Sequence, residues 1–268
     1  MSRRALVTGC SRGIGLGVTR MLLEDGWHVL SVSRTFPRSM LETDMERFGW
    51  LKMDVGQGRS RWQLADYLGE HPLDAVVHCA AVQGPRGPLA EADTKDWIET
   101  VNVNLSGTYR VLRATLPLLL KSEDGRALLF SGGGAFTPRP EFTAYAASKA
   151  GVVALMEGLA DELRDTTVTV NCVAPGYVPS GMPGTWASDK SDEALETAVA
   201  CVRHLLSPAT RGLSGKTVAA QWDDWRSINQ ATIVSVNASA QGTRHRHPIQ
   251  RVQEMTRATL HSAAAVGV

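Results

Sequence analysis

At 268 residues, with 43% hydrophobic and 21% charged residues, the chain has the balance of a globular protein with a sizeable core. A formal net charge of +1 gives no electrostatic footprint for nucleic acid or an anionic membrane surface. Cys10, Cys79, Cys172 and Cys201 are widely spaced with no CxxC pair, which argues against a disulfide framework or zinc site and for a reducing compartment.

The start, "MSRRALVTG", holds no apolar leader, and no run is long enough to span a bilayer, so the expected location is cytoplasmic. "RALVTG" reads as a strand that runs into a helix over "GLGVTRMLLEDG", stopped at Gly26. "WHVLSVSR" and "GWLKMDV" are two more strands, "SRWQLADYLGEH" an amphipathic helix closed by Pro72, and "LDAVVHCA" the fourth strand. A long helix fits "DTKDWIETVNVNLSGTYRVLRATLPLLLKS", with a kink expected from Gly107 and Pro117. Then follow strand "RALLFS", helix "AYAASKAGVVALMEGLADELR", strand "VTVNCVAP", helix "SDEALETAVACVRHLLS" and strand "KTVAAQW". Nearly continuous apolar strands alternating with helices predict an α/β fold, with a parallel sheet covered on both faces. No second core is visible, so residues 1–226 read as one domain. From about Ser227 the composition shifts to small, polar and basic residues, and residues 227–268 read as an extension or an arm onto a partner subunit.

Two features carry chemistry. In "VTGCSRGIG", Gly9, Gly13 and Gly15 lie where the first strand enters the first helix, with Ser11, Arg12 and Ile14 among them. Glycines there permit a tight turn and close backbone approach, and the helix N-terminus offers N–H groups and partial positive charge to phosphates. The plainer reading is a Gly-rich turn alone. In "FSGGGAFTPRPEFTAYAASK", Tyr145 and Lys149 are spaced i, i+4 and share a helix face. A neighbouring ammonium favours the phenolate of a tyrosine and can draw its proton toward working range.

Taken in order, T-G-x-x-x-G-x-G, "LPLLL", "YAASK" and "NCVAPGYVPSGM" resemble the short-chain dehydrogenase/reductase family, from about Ala5 to Trp225. The resemblance implies a Rossmann-like, doubly wound sheet of about seven strands, and hydride transfer between nicotinamide and a ketone or secondary alcohol. It assigns Tyr145 as proton donor and acceptor, Lys149 as its electrostatic partner and ribose ligand, and Asn104 of "NVNLSG" to a proton relay, with Asn102 as competitor. Where the family commonly carries an acidic residue for NAD, this chain has Ser33 followed by Arg34; with Arg12 they favour a 2′-phosphate, hence NADP(H). Asp54, with Val55 beside it, matches the adenine contact. "HCAAV" departs from the usual Asn-Asn-Ala-Gly; Ala80 and Ala81 still admit the cofactor, and His78 reads as a packed structural residue. Pro175, Gly176, Val178 and Ser180 match the nicotinamide loop, and beyond them a lid hinged near Pro183 and Gly184 is expected.

The family's catalytic serine is absent: thirteen residues before Tyr145 stands Gly132, and Ser131 is one position early. Either the glycines shift Ser131 into place, or glycine N–H groups or a substrate hydroxyl orient the carbonyl. The departure also leaves open a cofactor-binding sensor or partner subunit without turnover. The expected partners are a small carbonyl or alcohol substrate and a second copy in a homodimer or homotetramer, with no nucleic acid, membrane or metal; "HRH" at His245 and His247 reads as a solvated basic patch.

Overall fold

The computed structural model describes residues 2–40, 46–178 and 191–238. Seven parallel strands form one sheet in the order β3-β2-β1-β4-β5-β6-β7: β1 Arg4–Thr8, β2 His28–Ser33, β3 Phe48–Lys52, β4 Ala75–His78, β5 Arg126–Phe130, β6 Thr169–Ala174 and β7 Thr217–Ala219. The chain runs outward from β1 in one direction, then returns to start β4 on its other side. That switch opens a crevice at the carboxyl ends of β1 and β4.

The period of two along the strands sorts side chains into two cores. Ala5 and Val7 of β1, Val77 of β4 and Leu128 of β5 pack on one face, against α1 (Gly13–Glu24) and α6 (Ser191–Leu205). Leu6, Val76, Ala127 and Leu129 pack on the other, against α2 (Ser60–Leu68), α4 (Gly107–Leu119) and α5 (Thr143–Glu162). Leu6, Leu129 and Met156 are fully buried, each worth roughly 1.5–3 kcal/mol relative to exposure.

The expected long helix is real but interrupted elsewhere than Pro117. It consists of α3 (Thr94–Val101), a π turn over Asn102–Ser106, and α4. Pro117 falls in the last turn of α4, where Leu120 N still donates to Leu116 O, so it bends nothing essential. Gly107 marks the end of the π turn, and the register change it closes sits at Asn104.

The composition shift at Ser227 does not mark the edge of the packed core. Ile228, Ile233 and Val236 are buried with Trp225, the last two from α7 (Ile233–Ala238). Asn237 Nδ2 donates to Gly212 O at 2.8 Å, and the buried Lys216 Nζ donates to Asn237 O at 3.1 Å. No helix among the described residues is long and apolar enough to cross a membrane.

Candidate active site

A cleft of about 400 Å³ runs across the carboxyl ends of the strands, from the end of β2 to the start of α5. At its centre Gly9, with φ +71°, turns the chain from β1 toward α1; a Cβ there would lie 2.8 Å from Ala80 N. Only glycine allows that approach. Gly15 packs on the carbonyl of Gly9 just as closely, so the turn is drawn tight under the N-terminus of α1. No side chain caps that helix, which leaves its first N–H groups directed at the cleft that Ser11, Arg12 and Ile14 line.

At the β2 end, Arg34 is exposed and borders the cleft with Ser33, Thr35 and Phe36. The Ser33 hydroxyl is already saturated. It donates to Thr35 O at 2.7 Å and accepts from Trp50 Nε1 at 2.9 Å and from Cys10 Sγ at 3.3 Å. Ser33 therefore shapes the loop, and among the described residues the cations that line this end are Arg34 and Arg12. Asp54 Oδ1 accepts from Gly56 N at 2.8 Å, capping its own turn, while Asp54 and Val55 also border the cleft.

Ala80 and Ala81 line the middle with Cys79. His78 is 3% exposed; its Nδ1 meets Thr8 Oγ1 at 2.8 Å, its Nε2 has no partner, and burial pulls its pKa down to about 3. It is a neutral packing residue, in keeping with its place at a strand end. Pro175 lines the far wall. Gly13, Gly176 and Val178 do not line the cleft, and Ser180, with the expected lid, lies outside the described residues.

The catalytic candidates converge at that far end. Tyr145 and Lys149 line the cleft from the first turns of α5, with Lys149 Nζ 5.8 Å from the Tyr145 ring centre. Lys149 is 4% exposed; Nζ donates to Phe130 O at 2.8 Å, and burial lowers its pKa from 10.5 to about 8. Burial raises the Tyr145 pKa above its usual value, and the cation opposing that rise is Arg139, not Lys149. The phenol therefore holds its proton at neutral pH.

Asn104 locks the frame. Its Nδ2 donates to Val82 O at 2.8 Å and to Ser148 Oγ at 3.0 Å, and its Oδ1 accepts from Val82 N at 2.8 Å. Ser148 Oγ donates in turn to Tyr145 O at 2.8 Å. Both Nδ2 hydrogens are thus used, while the Asn104 carbonyl, which accepts from Thr108 Oγ1 at 2.6 Å, keeps acceptor capacity for a water. The competitor Asn102 points elsewhere: it donates to Gly56 O and accepts from Arg110 Nη2.

Ser131 is 2% exposed and its hydroxyl has no partner, although the residue borders the cleft. It is Gly132 that faces the tyrosine, since a Cβ there would point to within 2.6 Å of Tyr145 Oη. The glycines have not carried Ser131 into that position. Residues given no role by the sequence also shape the site: Val82 and Ser148 through Asn104, Thr35 and Trp50 through Ser33, and Arg139 beside Tyr145. The "TFPRS" turn and the arginine before α5 carry no pattern that would have singled them out.

The cleft suits an extended phosphate-bearing cofactor: a cradle that a Cβ would fill, uncapped N–H groups, two arginines at one end, and a buried unpartnered hydroxyl at the other. Comparison with known proteins agrees. The family model described as short chain dehydrogenase matches residues 3–191. A short-chain type dehydrogenase/reductase of Picea abies is 33% identical over 213 residues, 74% of this chain and 77% of that protein. A short chain dehydrogenase of Shigella flexneri 2a complexed with NADP is 28% identical at a TM-score of 0.73, covering 82% of this chain and 97% of the other. An actinorhodin polyketide ketoreductase with NADPH is 27% identical at a TM-score of 0.72, over 81% of this chain and 95% of the other. By sheet order, glycine turn, Tyr145–Lys149 pair and these likenesses, the chain belongs to the short-chain dehydrogenase/reductase family of oxidoreductases.

Proposed function

We propose that this oxidoreductase uses NADP(H) to interconvert a ketone and a secondary alcohol, with reduction of the carbonyl as the direction its site favours. The observation that carries the reading is the Tyr145–Lys149 pair, with Nζ 5.8 Å from the ring centre, at one end of a cleft whose other end is lined by Arg12 and Arg34. Arg34 and Arg12 would hold the 2′-phosphate, with no carboxylate at position 33 to repel it. The Shigella and ketoreductase neighbours, bound to NADP and NADPH, support that choice of cofactor.

When bound in the cleft, NADPH would supply the hydride to the carbonyl carbon. Tyr145 Oη donates to the carbonyl oxygen of the substrate and passes its proton there as negative charge develops. Lys149 and Arg139 then stabilise the phenolate left behind, Lys149 from α5 and Arg139 from the loop before it. Asn104 keeps Ser148, and through it the backbone at Tyr145, in place, and its carbonyl holds the water that returns a proton to Lys149. Ser131 supplies a hydroxyl to the cofactor end of the site instead of to the substrate oxygen. Pairing of two copies across α4 and α5 accounts for Tyr109, 52% exposed on that surface.

Tryptophan quenching on titration with NADPH and NADH, followed by NADPH oxidation over a ketone panel, tests this reading. Tighter binding of NADPH with turnover of at least one ketone is expected. Tight binding without turnover of any carbonyl would favour the sensor.

A further inference from the structure

The three glycines after β5 make room for side chains that pack on the turn. A Cβ on Gly132 would meet Tyr145 Oη, one on Gly133 would lie 3.2 Å from Arg139 Nη1, and one on Gly134 2.8 Å from Ala146 Cβ and 3.1 Å from Arg139 Cβ. Gly134 also takes φ +98°, where other residues are strained. The turn is thus a bed on which a tyrosine and an arginine lie side by side. Arg139 Cζ stands 5.5 Å from the Tyr145 ring centre and 4.5 Å from that of Phe142, which holds the guanidinium plane. Among the described residues its one hydrogen bond is long, Nη1 to Gly133 O at 3.4 Å, and no carboxylate pairs with it. Glu141, two residues on, is engaged by Arg86 at 3.0 Å. Arg139 is half-buried and stands outside the wall of the cofactor cleft, so its charge is not spent on phosphate.

We infer that Arg139 is a substrate-binding residue that selects ketones carrying a carboxylate one or two carbons from the carbonyl. The inference rests on Tyr145 as the group that meets the carbonyl oxygen. With that oxygen at Tyr145 Oη, a guanidinium beside the ring reaches a carboxylate at about 2.8 Å only if the acid is close to the ketone. A pre-placed planar fork is the donor suited to it. The arginine lies against Gly133, next to the position of the missing serine, and fixes the ketone by its acid end.

The experiment measures NADPH oxidation with 2-oxo and 3-oxo acids against their primary amides, in wild type, Arg139→Gln and Arg139→Lys. Wild type is expected to favour the acid in kcat/KM by roughly ten- to a hundredfold, the range for a charge-assisted hydrogen bond. That ratio falls to about one in Arg139→Gln and recovers in part in Arg139→Lys, while unchanged NADPH binding shows that the cleft is intact. Equal rates for acid and amide in wild type, or a ratio that Arg139→Gln leaves standing, overturn the inference and leave the reductase reading in place. Should no ketone be turned over, the reductase reading fails and binding decides. Quenching of bound NADPH by an oxo acid in wild type, lost in Arg139→Gln, supports Arg139 as the carboxylate ligand; no quenching in either overturns it.

Discussion

Gly132→Ala tests the geometry at Tyr145 most locally. The added Cβ would lie 2.6 Å from Tyr145 Oη, 2.9 Å from Cε1 and 3.1 Å from Cζ, whereas ordinary contact begins at 3.4 Å. The hydroxyl must therefore retreat by about 0.8 Å, the difference between 3.4 and 2.6 Å. Displacement of a reacting group on that scale costs up to about a hundredfold in rate, and overpacking costs about 1–3 kcal/mol of stability. The expected result is a ten- to hundredfold fall in kcat for the best ketone, a modest drop in melting temperature and unchanged NADPH affinity. Gly132→Ser meets the same steric demand but adds a hydroxyl, so its rate relative to Gly132→Ala measures what the absent serine would contribute. Wild-type kcat in Gly132→Ala would refute the placement of the Tyr145 hydroxyl against position 132.

Arg34→Ala should weaken NADPH binding roughly ten- to a hundredfold and leave NADH nearly untouched, read by fluorescence titration; equal losses for both would remove the 2′-phosphate from Arg34. Because burial lowers the Lys149 pKa from 10.5 to about 8 while Tyr145 stays protonated, the ammonium is present below pH 8 and is lost above it. kcat/KM for reduction should therefore fall as pH rises through about 8, and Lys149→Arg should move that limb upward; a flat profile to pH 9.5 would contradict it. Lys216 is 1% exposed, and burial lowers its pKa from 10.5 to about 8, so the cost of its charge is full below pH 8 and relieved between 8 and 10.5. Lys216→Met should stabilise the fold at pH 7 by on the order of 1–3 kcal/mol in urea melts, and the gain should shrink as pH rises past 8; a loss at pH 7 would show that the bond to Asn237 O outweighs the burial.

The strand and helix alternation was legible because each strand of a doubly covered sheet must be apolar on both faces, as "ALVT" and "AVVH" are. The glycine turn and the Tyr–Lys spacing were legible for the same reason: their chemistry demands particular residues at fixed intervals. What the sequence hid depends on tertiary contact. Pro117 looks like a helix breaker, yet the interruption falls at Asn102–Ser106, where backbone hydrogen-bond register yields to the ties between Asn104 and Val82. Ser33 looks like a phosphate ligand, yet Trp50, seventeen residues away on the neighbouring strand, claims its hydroxyl. The polar composition after Ser227 masks the buried Ile228, and Ile233 and Val236, which bury one side of a short helix. The three glycines read as a possible bulge for Ser131, and only their neighbours show that they clear space for Tyr145, Arg139 and Ala146.

The role of Tyr145 in passing the proton when NADPH reduces a carbonyl is tested most directly by single-turnover NADPH oxidation in wild type and Tyr145→Phe, with cofactor binding measured in both. Equal NADPH affinity and a loss of about a hundred- to ten-thousandfold in the rate of reduction are expected. Comparable rates in the two proteins would contradict that role.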